Sequence, residues 1–198
     1  MARTLITGIA GFTGRYLARE LARQGHEVHG IVHARPDDPV EGAAALYQAD
    51  LGDLDALREI MGVVRPEKVA HLAAIAFVAH GDVETLYRSN IVGTRQLLET
   101  LSELRDRPGS VLLASSTNIY GNGREGVLDE ELPPSPANDY GISKVAVELL
   151  ARIYADRLPL VTVRPFNYTG RGQDENFIIP KIVSHAKQRR RSIELGNL

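Results

Sequence analysis

Tyr140 and Lys144 stand four residues apart in Tyr140-Gly141-Ile142-Ser143-Lys144, a spacing that on a helix projects both side chains from one face. A free phenol has a pKa near ~10, too high for efficient proton exchange at neutral pH, but a lysine ammonium on the next turn favours the phenolate. The pair can therefore work as an acid and base, although the same spacing also suits a solvated helix pair. Upstream, Ser115, Ser116 and Thr117 follow an apolar run and place a hydroxyl where the helix begins. A hydroxyl to hold a substrate oxygen and a tyrosine to exchange its proton need one further component, a hydride donor or acceptor, to convert a ketone into an alcohol.

The amino terminus supplies a candidate holder for that component. In Thr4-Leu5-Ile6-Thr7-Gly8-Ile9-Ala10-Gly11-Phe12-Thr13-Gly14 an apolar strand runs into three glycines spaced three apart and then into a helix carrying Tyr16, Leu17, Leu21 and Ala22 at helical spacing. Gly8 allows a sharp turn off the strand, Gly11 lets backbone approach a pyrophosphate, and Gly14 removes the side chain where helix and strand touch. The N–H groups of the helix start, around Phe12 and Thr13, then face the phosphates of a dinucleotide. An acidic residue ending the second strand of such a unit binds the ribose 2′-hydroxyl and repels a 2′-phosphate. Here Val32-His33-Ala34-Arg35 has no carboxylate before Asp37, so His33 and Arg35 predict NADP(H) over NAD(H).

The elements that must position these groups alternate in type. Strands are expected over 27–33, 45–51, 68–74, 110–115 and 160–166, and helices from Asp53 to about Val64, from Asp82 to Arg105, from Tyr140 to about Arg157 and from Phe177 to about Gln188. Such alternation gives a doubly wound parallel α/β sheet, a Rossmann fold, with ligands at the carboxyl ends of the strands. The helix over 82–105 bears an apolar stripe from Val83 and Leu86 to Leu101 and Leu104, and with the 140–157 helix it is long enough for a four-helix homodimer interface. Asn90 lies in that stripe, and an amide there must find hydrogen bonds, whether in helix packing or in support of a site. The long irregular segment 121–139 should overhang the ligand crevice.

The 198 residues allow one full domain and the start of a second: a dinucleotide-binding Rossmann domain over 1–166 and the beginning of a small substrate-binding lobe over 167–198. Net charge is −2, which gives no nucleic-acid footprint and points to a small-molecule partner. Cysteine is absent and the six histidines show no zinc-ligand spacing, so no metal site is expected. No apolar run approaches the ~20 residues of a membrane span, and the first strand leaves no room for a signal peptide after Met1, so a cytoplasmic location is expected.

Taken together, the glycine motif, Asp50-Leu51, His71-Leu72-Ala73-Ala74, Asn90-Ile91-Val92-Gly93-Thr94, Ser115 to Gly121, Tyr140 to Lys144 and Arg164-Pro165-Phe166-Asn167 resemble the extended short-chain dehydrogenases/reductases of the nucleotide-sugar epimerase, dehydratase and reductase group. The resemblance implies that Asp50 and Leu51 hold the adenine and that Ala73 lines the cofactor crevice. It makes Ser116 the catalytic hydroxyl, Tyr140 the acid and base, Lys144 the ribose and phenol partner, and Asn90 a support of the cofactor site. Similar dehydratases carry carboxylates just after the catalytic hydroxyl, where this chain has Thr117 and Asn118 as substrate contacts, so a 4,6-dehydration is not expected. His71 is expected to be a packed strand residue.

Within the group, Arg164 to Gln173, Asn176-Phe177 and Leu195 to Leu198 are most similar to GDP-4-keto-6-deoxymannose reductases, with Asn167 against the substrate. A 4-epimerase with tightly held NAD, using the same Ser116, Tyr140 and Lys144, and a non-catalytic dinucleotide-sensing module are the alternatives. Members of the group continue well beyond the point reached by Leu198, where more of the sugar-binding lobe is expected.

Overall fold

A computed structural model of the chain describes residues 1–76, 82–122 and 126–195. Six strands, β1 (Arg3–Thr7), β2 (Glu27–Val32), β3 (Ala43–Gln48), β4 (Lys68–His71), β5 (Ser110–Ala114) and β6 (Leu160–Val163), form one sheet in the order β3-β2-β1-β4-β5-β6. Every pairing is parallel. From β1 the chain winds outward through β2 to β3, and from β4 it winds the other way through β5 to β6. The direction therefore reverses between β1 and β4, and their carboxyl ends border the crevice in which ligands of this Rossmann arrangement sit.

Alternation along β1 sends neighbouring residues to opposite faces. Leu5 joins Leu57, Met61, Leu97, Leu101, Val111 and Val147, under the helices α2 (Leu54–Val64), α4 (Thr94–Glu103) and α5 (Asp139–Tyr154). Ile6 joins Ile9, Ala18, Val28 and Val40, under α1 (Phe12–Arg23). Burial on both faces explains why β1 and β2 read as nearly continuous apolar runs. Three helices, α2, α3 (Val83–Tyr87) and α5, start where a side chain satisfies one of their first N–H groups: Asp53 accepts from Ala56 N, Asp82 from Thr85 N, and Asn138 from Gly141 N. Arg65, at φ 46°, ends α2 ahead of Pro66.

Several boundaries differ from the sequence-based expectation, mostly at the crevice. β3 covers 43–48 rather than 45–51, because the chain turns at Asp50, whose carboxylate accepts from Gly52 N at 2.7 Å. β4 ends at His71 rather than Ala74 and β6 at Val163 rather than Phe166, and α5 stops at Tyr154. The expected helix over 82–105 is α3, a π turn over Arg88–Gly93, and α4. Of its apolar stripe, Leu86, Leu97, Leu98 and Leu101 are buried within the chain. The exposed apolar residues of this region are Val92 and, on α5, Ile142, Leu149 and Ile153. Tyr16 is likewise exposed, packed edge-on against Phe12.

The chain divides into two compact units, Met1–Pro165 and Phe166–Leu198. The second contains α6 (Ile178–Lys187), whose Ile178, Ile179, Ile182 and Val183 are exposed. Gly196, Asn197 and Leu198 of the carboxyl-terminal motif lie outside the described residues, as do 123–125 of the long loop. No helix among the described residues is long and apolar enough to cross a membrane.

Gly14 permits α1 to lie against the turn that precedes it. A Cβ there would stand 2.3 Å from Gly8 O and 2.6 Å from Ile9 Cα, backbone atoms that cannot swing aside. Gly62, inside α2, has open space at the same position. Gly14→Ala is expected to destabilise the fold by about 2–3 kcal/mol through overpacking. Gly62→Ala should stabilise it by up to about 1 kcal/mol through helix propensity. Urea unfolding of the two variants checks the opposite signs.

Candidate active site

The crevice end of β1 is built for close approach. Gly8 has φ 71°, and a Cβ on it would stand 2.7 Å from Ala73 N, so only glycine lets the turn off β1 pass the end of β4. Gly8 N donates to Ile31 O and Gly11 N to Gly8 O, which fixes the loop. α1 then begins at Gly11 with no side-chain cap and no acidic residue in its first turn. Its positive end is thus not complemented by a carboxylate of its own, which suits a pyrophosphate. Glycine backbone where a side chain would collide, next to this helix start, fits a bound dinucleotide.

On the far side of the crevice, α5 lies along residues 114–118 through one face, at Gly141, Lys144 and Glu148. Gly141 comes first: a Cβ there would stand 2.7 Å from Asn118 O. Lys144 follows, its Nζ donating to Ala114 O at 2.8 Å and lying 5.6 Å from the Tyr140 ring centroid. Burial holds the Lys144 ammonium down at a pKa of about 8. The Glu148 carboxylate accepts from Ser115 Oγ at 2.6 Å and from Arg164 Nε and Nη2 at 2.9 and 2.8 Å. Burial pushes the Glu148 carboxyl up, but the bonds from Arg164 and Ser115 and the guanidinium charge more than reverse this, leaving it below the ordinary range. Arg164 Nη1 reaches Tyr120 Oη at 2.8 Å and Glu130 O at 3.0 Å, and Tyr120 Oη donates to Asp129 O. Ser115 and Ser116, both expected at this edge, therefore separate in role. Ser115 is an anchor of α5, and Ser116 caps a short 3₁₀ turn (Thr117–Tyr120), where its Oγ accepts from Asn118 N and Nδ2, both at 3.1 Å.

Asn90 projects from the π turn into a set of protein partners. Its Oδ1 accepts from Ile75 N at 2.8 Å, and its Nδ2 donates to Ile75 O and to Ser143 Oγ, both at 3.0 Å. Ser143 Oγ in turn donates to Tyr140 O at 2.7 Å. Both amide hydrogens are spent inside the protein, so Asn90 ties the segment after β4 to the turn of α5 that carries Tyr140. His71 is buried beside it: Nδ1 meets Thr7 Oγ1 at 2.7 Å and Nε2 meets Thr94 Oγ1 at 2.8 Å. Thr94 donates its hydrogen to Asn90 O, so His71 must carry its proton on Nε2, and Nδ1 then accepts from Thr7. Thr7 Oγ1 itself accepts from Ala73 N at 3.2 Å.

The model of the NAD dependent epimerase/dehydratase family matches residues 4–198. The chain belongs to that family. Among its relatives is the GDP-6-deoxy-D-talose 4-dehydrogenase of Aggregatibacter actinomycetemcomitans, 34% identical over 199 residues that cover 99% of this chain and 63% of that protein. The GDP-6-deoxy-D-mannose reductase of Pseudomonas aeruginosa is 30% identical over 202 residues, covering 99% and 62%. A solved structure from Burkholderia cenocepacia J2315 superposes with a TM-score of 0.91 at 49% identity, over 100% of this chain and 64% of that one. The chain thus spans somewhat less than two thirds of the length of the relatives it matches.

The other residues expected to contact ligands of the epimerase/dehydratase fold are distributed as follows. Asp50 is exposed, whereas the Leu51 side chain is buried in the core, where a Cβ on Gly93 would come within 2.9 Å of it. His33 and Arg35 are exposed, and among the described residues Arg35 has no hydrogen bond or ion pair. Asn167 is exposed in the second unit. Among the described residues no group of three His, Asp or Glu side chains could hold a metal ion. Sequence reasoning missed Arg15, which binds Ala10 O, Pro39 O and Asp38 O at 3.0, 2.9 and 3.2 Å and so joins the glycine loop to the segment after β2. A lone arginine early in a helix carries no signal of such a bridge.

Burial, followed by the charge of Lys144, lowers the His71 pKa to about 3. An unfolded histidine titrates near 6.5, so the unfolded chain binds the extra proton between those values and stability from this group, complete above 6.5, is lost as pH falls toward 3. ¹⁵N NMR of the imidazole should show a single Nε2–H tautomer that does not titrate from pH 8 down to 5. A midpoint near 6.5 in the folded protein would contradict it.

Proposed function

We propose that this chain carries the cofactor-binding and proton-transfer half of a reductase acting on a nucleotide-linked 4-keto-6-deoxy sugar of the GDP-4-keto-6-deoxymannose type. The observation that carries the reading is the packing of α5, which bears Tyr140 and Lys144, on residues 114–118 at the carboxyl end of β5, with Lys144 Nζ on Ala114 O and Gly141 against Asn118 O. In this reading residues 1–166 are the dinucleotide-binding domain and 167–198 begin the substrate lobe, with Asn167 as a contact. The similarity to a GDP-sugar 4-dehydrogenase and a GDP-sugar reductase supports the substrate class.

The protein's groups have distinct tasks. The Gly8 to Gly14 loop and the start of α1 receive the pyrophosphate, with Asp50 and the Leu51 backbone at the adenine and Ala73 along the crevice. NADP(H), when bound, supplies or accepts the hydride. Ser116 donates a hydrogen bond to the sugar oxygen, and Tyr140 gives it a proton as the ketone becomes an alcohol. Lys144 holds positive charge beside the phenol and reaches the ribose, while Thr117 and Asn118 face the sugar. Neither can take the C5 proton that a dehydration requires, since a threonine hydroxyl and an amide are not bases near neutral pH. A homodimer through a four-helix interface of the segments over 82–105 and 140–157, with the exposed Val92, Ile142, Leu149 and Ile153, completes the proposal, and location in the cytoplasm accords with it.

In the full-length protein, Tyr140→Phe should leave NADPH affinity intact and lower turnover of GDP-4-keto-6-deoxymannose by at least ~100-fold, the scale of losing a general acid. Unchanged turnover removes Tyr140 from the mechanism. A wild-type protein that releases tightly held NAD on denaturation and consumes no added NADPH is instead an epimerase.

The absence of a carboxylate before Asp37, with Arg35 exposed, favours the 2′-phosphate. The catalytic efficiency with NADPH should exceed that with NADH by about tenfold, the value of one charge-assisted hydrogen bond. Arg35→Ala should remove most of that ratio. Equal efficiencies in wild type, unaltered by the substitution, would show an ordinary solvated arginine.

A further inference from the structure

We infer that Asn118 is a positioning residue that fixes Ser116 as a one-way hydrogen-bond donor toward the substrate and sets it against the helix that bears Tyr140. A serine hydroxyl has one hydrogen and two lone pairs. Asn118 N and Nδ2 both donate to Ser116 Oγ, at 3.1 Å each, so both lone pairs are taken. Among the described residues nothing accepts the hydrogen of Ser116, which is itself 7% exposed. The only role left to this hydroxyl is donation, in the one direction that the two incoming bonds leave.

The same residue measures the distance to α5. Asn118 O accepts from Gly121 N at 3.2 Å, so its peptide is held in the 3₁₀ turn. A Cβ on Gly141 would come within 2.7 Å of that same Asn118 oxygen. Ser116 is thus oriented by one end of Asn118, and the residue after Tyr140 is placed by the other. Ser116 has little else to orient it, because the stronger anchors of this edge belong to Ser115 and Lys144.

The side-chain part of this device separates cleanly from the backbone part, since any residue at 118 retains the N–H and the C=O. Asn118→Ala loses one of the two incoming bonds and should cost about tenfold or less in kcat. Asn118→Asp is more informative. An ionised carboxylate has no hydrogen to give and accepts only, so it takes the hydrogen of Ser116 and turns the donor away from the substrate. Its kcat should fall by ~100-fold at pH 8, the scale of losing a preorganised donor at a reacting oxygen. A carboxylate that accepts from Ser116 titrates at or below the ordinary aspartate value of ~3.9, so the loss relative to wild type should persist from pH 9 down to 5.

The inference rests on the reductase reading, and the test is arranged to tell the two apart. Full-length wild type, Ser116→Ala, Asn118→Ala and Asn118→Asp are assayed with NADPH and GDP-4-keto-6-deoxymannose from pH 5 to 9, with NADPH binding followed by fluorescence and thermal midpoints recorded. The inference expects unchanged NADPH affinity, unchanged midpoints, a fall in kcat larger than any rise in KM, and a loss in Asn118→Asp about tenfold beyond that in Asn118→Ala. An active wild type whose Asn118→Asp variant keeps full kcat, or loses no more than Asn118→Ala, overturns the inference and leaves the reductase reading standing. A wild type that binds NADPH but turns over no sugar overturns the reductase reading and this inference with it.

Discussion

The buried ion pair between Glu148 and Arg164 is the interaction on which the carboxyl ends of β5 and β6 depend. The two side chains are only 10% and 15% exposed, so each loses much of its hydration on folding. A single contact seldom offsets that cost. Here the contact is bidentate and every remaining group is occupied: Ser115 donates to the carboxylate, and the guanidinium reaches Tyr120 and Glu130 while lying 5.3 Å from the Tyr120 ring centroid. The pair thereby joins α5, the two strand ends, the 3₁₀ turn and the returning part of the long loop. Ser116 sits between two of its anchors, at 115 and 120. Removing either charge would leave the other buried without compensation, so the edge would be lost as a unit.

A second constraint is steric. At Gly8, Gly14, Gly93 and Gly141 the chain passes something that a methyl group would strike within 3 Å: Ala73, the backbone before α1, Leu51 and Asn118. These four contacts link β1 to β4, α1 to its own turn, the π turn to the segment after β3, and α5 to the 3₁₀ turn. Polar anchors set direction in this structure, and glycines set distance.

Much of this was legible in the chain before folding was considered. The glycine spacing, the alternation of strand and helix, and Tyr140 and Lys144 on one helix face are local patterns, and local patterns survive intact into the structure. Asp53 and Pro66 likewise bracket α2 as their chemistry suggests. The features that could not be read are those in which a residue answers to something distant. The π turn breaks a helix whose composition is unremarkable for helix. The apolar stripe around it is spent on the chain's own sheet, because periodicity identifies an apolar face without saying what covers it. Leu51 is drawn into the core, while Asp50 beside it stays at the surface. The division of labour among Ser115, Ser116 and Thr117 depends on Glu148, 33 residues away from Ser115, and adjacency alone leaves the three indistinguishable.

The hydrogen bonds that run from Ala73 through Thr7, His71 and Thr94 to Asn90 have fixed ends. A peptide N–H, which can only give, stands at one end, and a peptide carbonyl, which can only receive, stands at the other. Every hydrogen between them has a single allowed place, because reversing one would set two donors or two acceptors face to face. A proton relay works by such reversals, each unit passing on one hydrogen and then turning to collect the next. This chain cannot turn. The buried His71 therefore keeps its one proton where it is: it ties β1, β4 and the π turn together in position and passes no charge along the row.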